Sequence, residues 1–179
     1  MKIWFDTEFI EDGKTIDLIS IGMVREDGAT FYAESSECNL HNASPWVVQN
    51  VLPHLQGGSY VWNRKDMAEY IVAFAGGNRG EKPEFWAYYA DYDWVALCQL
   101  FGTMMDLPKG WPMYCRDVKQ LCDELGNPPL KKQDDGSEHN ALADALWTKM
   151  AWEYLMRHDI ANKLEAGLQE RRIKSVYDL

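Results

Sequence analysis

The chain opens with a strongly apolar segment that carries two acidic residues, Asp6 and Glu8, two positions apart. The rest of residues 2–9 is largely apolar and aromatic, which predicts a strand near the middle of a sheet. Because alternate side chains of a strand point to opposite sides, both carboxylates project from the same side. Buried carboxylates are tolerated only with a metal ion, hydrogen bonds or protonation. The segment therefore predicts a metal-binding strand, against the alternative of a solvated strand face.

Two further strands follow the first one. Residues 16–24 predict the second strand, Glu26-Asp27-Gly28 form a turn, and residues 30–33 predict the third. The chain is therefore expected to begin as an antiparallel meander.

The next part of the chain alternates between helical and strand patterns. Residues 45–55 and 64–75 show helical spacing, and residues 85–89 predict a buried strand. A helix follows from Asp91 to about Phe101, and this strand-to-helix order predicts parallel pairing with the first strand. The expected fold class is α/β, with a mixed central sheet of antiparallel and parallel strands flanked by helices.

The last third of the chain is predicted to be mainly helical. A short strand is expected at Met113-Tyr114, followed by a helix that Asp117 caps. The longest helical pattern runs from Asn140 to about His158. We expect a single domain over residues 1–158 and a charged helical tail over residues 159–179.

Charge and cysteine content limit the classes of function. A net charge of −10 and a pI of about 4.8 argue against a protein that holds nucleic acid on a broad basic face. An enzyme that grips only a chain end stays allowed, because bound Mg²⁺ reverses the sign of the local field. The four cysteines match no zinc or disulfide pattern, and no segment approaches the roughly 20 apolar residues of a membrane span. We expect a cytoplasmic protein with reduced thiols, without a signal peptide and without membrane contact.

Single acidic residues are weak evidence when taken one at a time. A composition of 28 acids in 179 residues gives about four acid-x-acid pairs by chance. Asp93 lies near the start of a predicted helix, where an Asp often only caps free backbone N–H groups. Asp91 is the better cap by position, and periodicity alone does not decide which of the two points at a site.

His139 and Asp144 are five residues apart, which places them on different faces of a continuous helix. They can converge only if His139 precedes the helix, which Asn140 as N-cap would allow. A buried Asp144 would need a cation or a partner. The alternative interpretation is that Asp144 is an acid at the protein surface. The alternative for His139 is an ordinary loop histidine.

The order and spacing of these residues, taken together, resemble the DEDDh exonucleases from Met1 to about residue 156. Four stretches narrow the resemblance to the polyadenylate-specific exoribonuclease AS family: residues 5–13, 18–22, 93–100 and 139–145. The resemblance implies a ribonuclease H-like fold and hydrolysis of single-stranded RNA from its 3′ end, with adenylate-rich tails as the substrate. It also implies a homodimer.

The resemblance also assigns roles to individual residues. Asp6, Glu8, Asp93 and Asp144 would bind two Mg²⁺ ions, for which Mn²⁺ could substitute, and His139 would be the general base. It further supports substrate contact by the backbone around Thr7. Phe9 follows the acidic strand directly and is the best candidate for contact with the terminal nucleotide, since bases stack on aromatic rings.

The second motif departs from the group's pattern. The wider group has His-Asn-Ala-x-Phe-Asp, whereas this chain has Tyr88-Tyr89-Ala90-Asp91-Tyr92-Asp93, so the metal ligand is kept and the His-Asn pair is missing. Three alternatives remain. A DNA exonuclease would share every catalytic residue, and a non-catalytic nucleic-acid-binding module would share the fold. An aspartate-nucleophile phosphatase is disfavoured, because it needs Asp-x-Asp and has no use for His139.

Overall fold

The computed structural model describes residues 1–76, 82–133 and 136–177, without the side chains of Met104 and of residues 169–177. Its centre is a six-stranded sheet in the order β4-β3-β2-β1-β5-β6. The strands are β1 (Lys2–Glu11), β2 (Ile16–Arg25), β3 (Thr30–Ser35), β4 (Val61–Trp62), β5 (Glu84–Ala87) and β6 (Arg116–Asp117). The helices are α1 (Pro45–Asn50), α2 (Arg64–Phe74), α3 (Asp91–Gln99), α4 (Val118–Glu124) and α5 (Ala141–Tyr177). Short 3₁₀ turns lie at Leu40–Asn42, Leu52–His54, Gly58–Tyr60 and Met104–Asp106.

Strand directions in the sheet are mixed, as predicted. β1, β2 and β3 pair antiparallel, whereas β4 pairs parallel with β3, and β5 and β6 extend the sheet in parallel beyond β1. β1 therefore has a hydrogen-bonded neighbour on each side, which confirms the prediction that the acidic strand is central. The four cysteines are free thiols.

The sheet buries side chains on both faces. From β1, Ile3 and Phe5 pack in a core with residues of α2 and α3, whereas Trp4 packs on the opposite face with residues of α4 and α5. Asp6 and Glu8 have the same strand parity as Trp4, so they project toward the face that α5 covers. None of the helices within the described ranges has the length and apolar character to cross a membrane.

Several predicted boundaries were wrong for identifiable reasons. The sixth strand is Arg116–Asp117 and not Met113-Tyr114, whose side chains are exposed and have no core to enter. The single helix predicted over 45–55 divides into α1 and a 3₁₀ turn, because Pro53 has no N–H to continue the α-helix. The strand predicted over 85–89 ends at Ala87.

Asp91 is not the cap of α3, contrary to the prediction from its position. The N-cap is Ala90, whose side chain cannot cap, and Asp91 lies exposed in the first turn. The carboxylate of Asp117 instead accepts a hydrogen bond from the Ala90 amide at 2.8 Å, and also caps α4 as predicted. One side chain therefore ties the start of α3 to the start of α4.

Gly22 lets the first turn of α5 lie directly on the sheet. It is the partner of Asp6 in the β1–β2 register. A Cβ atom at this position would collide with the backbone of Ala141 and Leu142. Since Asn140 and Asp144 belong to the same turn, the missing side chain brings that turn close to the acidic strand.

We predict that Gly22→Ala destabilises the protein by about 3 kcal/mol, because the clash is with backbone atoms that cannot rotate away. Urea unfolding measures the change. Gly167→Ala is the matched control, because a Cβ there meets nothing within 4 Å and alanine favours helix. Equal stabilities for the two variants would show that α5 is free to shift away from β2.

Candidate active site

Two carboxylates of the site come from β1. Asp6 pairs with Gly22 and Glu8 with Ser20 in the register with β2, and the register shifts between Glu8 and Phe9. Such a bulge bends a strand and redirects the side chains beside it. Glu8 is 9% exposed, which rejects the alternative of a solvated strand face.

The third carboxylate and the histidine come from the start of α5. Asn140 caps the helix, accepting a hydrogen bond from the Ala143 amide at 3.1 Å. His139 therefore precedes the helix, as its spacing from Asp144 requires, and has a φ of 65°. The left-handed region is uncommon for residues other than glycine and often marks a functional position. The backbone N–H of His139 donates to Asp144 Oδ2 at 3.0 Å, which joins the two residues directly.

Asp93 is held against β1 by Thr7. The amide and the hydroxyl of Thr7 both donate to Asp93 Oδ1, at 2.8 Å and 2.6 Å. Asp93 is 6% exposed, so it and not the exposed Asp91 is the acid of α3 that enters the site. Of the two acids, Asp93 lines the cleft and Asp91 does not.

All five predicted catalytic residues line one cleft of about 790 Å³. Ligand atoms of Glu8, His139 and Asp144 lie within 4.8 Å of one another. A set of oxygen donors and one imidazole at this spacing is suitable for a divalent cation. The same geometry places His139 near enough to the two carboxylates to be a ligand as well.

The carboxylates repel one another in a poorly solvated space. Burial raises the pKa of Asp6 well above its usual value, and the charges of Asp93, Glu8 and Asp144 raise it further. Burial, followed by the charges of Asp144 and Asp93, raises the pKa of Glu8 to about 8. A metal-free site therefore favours taking up protons, and a divalent cation would remove the same repulsion.

The pKa values of the other two carboxylates, Asp93 and Asp144, are also raised. Burial raises the pKa of Asp93 to about 6, although the hydrogen bonds from Thr7 act to lower it. Burial also raises the pKa of Asp144, against the lowering effect of hydrogen bonds from Gln133 and the His139 backbone.

Sequence reasoning missed several residues of the site. Gln133 donates to Asp144 Oδ1 at 2.5 Å and to the Ser137 carbonyl at 3.1 Å, so it links the loop before His139 to the acid on α5. The ring of Trp46 meets that of His139 edge-on, with centroids 4.8 Å apart. Neither residue lies in a motif, and no sequence signal marks either contact.

Aromatic rings border the acidic residues in the cleft. Phe9 stacks on Tyr92, with centroids 5.7 Å apart and planes 10° from parallel. Tyr89 has a φ of 59° and is 64% exposed. Tyr88 and Tyr89, which stand where the wider group has His-Asn, both line the cleft. Aromatic rings therefore stand at these two positions instead of an imidazole and an amide.

Comparison with known proteins shows the family of the chain. A family model described as "3'-5' exoribonuclease Rv2179c-like domain" matches residues 1–156. The chain belongs to this family. It is 42% identical over 149 residues to the 3′-5′ exoribonuclease Rv2179c of Mycobacterium tuberculosis strain H37Rv and to MT2234.1 of strain CDC 1551. In each case the match covers 81% of this chain and 87% of the relative.

The chain is also similar to a solved structure. The Neurospora crassa Pan2 catalytic unit, containing protease and nuclease domains, matches with a TM-score of 0.47 and 13% identity. The match covers 95% of this chain and 29% of that one. A similarity at this level supports no conclusion about activity. The assignment to a family rests on the match to the Rv2179c-like family model and to the two relatives.

We predict that the metal-free protein loses stability as pH rises from about 4.5 to about 8. The folded-state pKa of Glu8 is raised, so across this interval the folded state binds more protons than the unfolded state, and stability falls with pH. Thermal melts in EDTA measure the trend. Glu8→Gln should make the trend shallower and melt higher than the wild type at pH 8, whereas Glu69→Gln, at an exposed carboxylate, should leave the trend unchanged. A wild-type profile that rises with pH would contradict the account of a strained acidic cluster.

Proposed function

We propose that the chain is a metal-dependent 3′-5′ exoribonuclease that releases nucleoside 5′-monophosphates one at a time from single-stranded RNA. The observation that carries the proposal is the meeting of Asp6, Glu8, Asp93, His139 and Asp144 in one cleft. Membership of the Rv2179c-like family supports RNA as the substrate.

In this proposal, Asp6, Glu8, Asp93 and Asp144 hold two divalent cations. Their carboxylate oxygens are hard ligands that suit Mg²⁺, with Mn²⁺ as a substitute. Two such ions, when bound, activate a water molecule and stabilise the departing oxygen of a displacement at phosphorus. Asp6 would be the natural ligand to both ions, because it lies at the centre of the strand and the charges of Asp93, Glu8 and Asp144 all act on it. The raised pKa values fit this assignment, because burial disfavours the charged form of each carboxylate and a bound cation would favour it.

His139 is proposed as the general base that takes a proton from the attacking water. An imidazole exchanges protons near neutral pH. The backbone of His139 is tied to Asp144 and its ring rests against Trp46, so both the position and the direction of the ring are constrained.

Phe9 is proposed to contact the terminal nucleotide. Its ring already stacks on Tyr92 in the cleft, which supports a role as a wall for a base. The proposal for substrate contact at Thr7 rests on the family resemblance, because its amide and hydroxyl both donate to Asp93. The contacts of Thr7 therefore most directly support a role in positioning Asp93.

The preference for adenylate-rich tails and the homodimer are proposals that follow from the family resemblance, and the cytoplasmic location is a proposal that follows from the cysteine pattern. Exposed apolar side chains at Ile160, Leu164 and Leu168 recur every fourth residue on α5, which supports a self-association surface. Four free thiols suit a reducing compartment.

We expect a 5′-labelled RNA with an A-rich 3′ tail to shorten from its 3′ end in Mg²⁺ and to stay intact in EDTA. Asp6→Ala/Glu8→Ala should slow the reaction by more than about 10³-fold, because it removes both β1 carboxylates from the site. Glu69→Ala/Glu124→Ala removes two exposed acids and is the matched control. RNA that stays intact in every lane would contradict the proposal and favour the DNA exonuclease or the binding module.

The nucleotide preference is tested on the same gels. Hydrolysis of A-, U-, C- and G-tailed RNA and of matched DNA should be fastest for the A-tailed RNA. Equal rates on the four tails would remove the adenine preference, and faster hydrolysis of DNA would favour a repair or proofreading enzyme.

His139→Ala should keep Mg²⁺ binding and lose turnover by about 10²- to 10⁴-fold, the usual contribution of a general base. Calorimetric Mg²⁺ titration and single-turnover rates separate the two effects. His41→Ala, at an exposed histidine, is the control. Loss of Mg²⁺ binding in His139→Ala would show that His139 is a ligand, which the 4.8 Å cluster geometry also allows.

A further inference from the structure

A second cavity, here called the α5 groove, opens directly from the catalytic cleft. It has a volume of about 670 Å³ and lies between α5 and the segment that follows α4. Lys132, Gln133 and Trp147 line both the groove and the cleft. The two cavities are therefore parts of one continuous depression.

The sign of the charge changes from the cleft to the groove. The cleft is lined by five acids, Asp6, Glu8, Asp93, Glu138 and Asp144. The groove is lined by three cationic side chains, Lys131, Lys132 and Arg157, and by one acid, Glu153. All three cationic side chains are exposed, and they stand out in a chain whose net charge is −10.

The groove also contains aromatic rings beside its cationic groups. Trp147 is fixed by a hydrogen bond from Nε1 to the Lys131 carbonyl at 2.8 Å, and its ring packs edge-on against Tyr88. Tyr154 lies about two helical turns further along α5 and lines the same cavity. Cationic side chains that follow a backbone and rings on which bases stack are the two elements of single-strand binding sites.

We propose that the α5 groove binds the nucleotides upstream of the scissile phosphate, with Lys131, Lys132 and Arg157 contacting the RNA backbone. The inference rests on the proposed function, because it assigns the path of the strand leaving that site. An exonuclease holds its terminal nucleotide at the catalytic centre, and the rest of the polymer must leave the cleft across the adjoining surface. In the cleft, bound cations would balance the phosphate charge, whereas in the groove only side chains are available for this.

The test compares kinetics on RNA of different lengths. Lys131→Ala/Arg157→Ala removes two cations that line the groove and not the cleft. We expect KM for a 12-nucleotide RNA to rise about tenfold, with kcat and the kcat/KM for a dinucleotide unchanged, because each exposed charge contact contributes about a factor of three. The slope of log kcat/KM against log salt should become shallower by about 1.4, since each phosphate contact contributes about 0.7 on single strands. Lys65→Ala/Lys109→Ala is the control, because it removes the same charge at exposed sites that line neither cavity.

Three outcomes would overturn the inference, and they differ from one another. If the wild type cleaves neither substrate, the proposed function fails and the inference fails with it. If the wild type is active and the groove variant matches the Lys65/Lys109 control in KM and salt slope, only the inference fails. An equal loss on the dinucleotide and the 12-mer, with a changed sedimentation coefficient, would mean that a second copy of the chain covers the groove.

Discussion

The direct contact between the sheet and the first turn of α5 is the constraint on which the site depends. Gly22 has no side chain at the point where that turn crosses β2, and Gly22 is the register partner of Asp6. The absence of one Cβ atom therefore sets the distance between the acids of β1 and the residues at the start of α5. The long packing interface of α5 on β1 and β2, with Ala145 and Leu155 fully buried, keeps the helix in that position.

The electrostatics of the site follow from this geometry. Four carboxylates are brought into a space where water screens them poorly, and burial raises the pKa of each. Such an arrangement costs folding stability unless something positive occupies it. The protein offsets part of the cost with hydrogen bonds from Thr7 to Asp93 and from Gln133 to Asp144. The remaining repulsion is what a bound divalent cation would relieve in the hydrolysis that we propose.

The sequence predicted much of this molecule and missed parts that depend on tertiary contacts. Apolar and aromatic runs separated by a turn predicted the meander. The spacing of His139 and Asp144 required a helix that begins between them, which the N-cap at Asn140 confirms. Asp91 was wrongly expected to cap α3, because its position in the helix cannot reveal that Asp117, 27 residues after Ala90, accepts the hydrogen bond of the Ala90 amide. Gln133 and Trp46 were missed because neither lies in a motif, and because the partner of Trp46, His139, is distant in the chain. The strand at Met113-Tyr114 was misplaced because a two-residue edge strand carries almost no periodicity.

Asp6, Glu8, Asp93 and Asp144 are proposed to form one site for two divalent cations in the cleft that they line. Anomalous diffraction from crystals soaked in Mn²⁺ tests it most directly, because the peaks report the ions' positions independently of catalysis. The account predicts two peaks about 3.5 to 4 Å apart among the carboxylates of Asp6, Glu8, Asp93 and Asp144. Peaks located elsewhere on the protein, or none, with these carboxylates hydrogen-bonded to one another as protonated pairs, would contradict it.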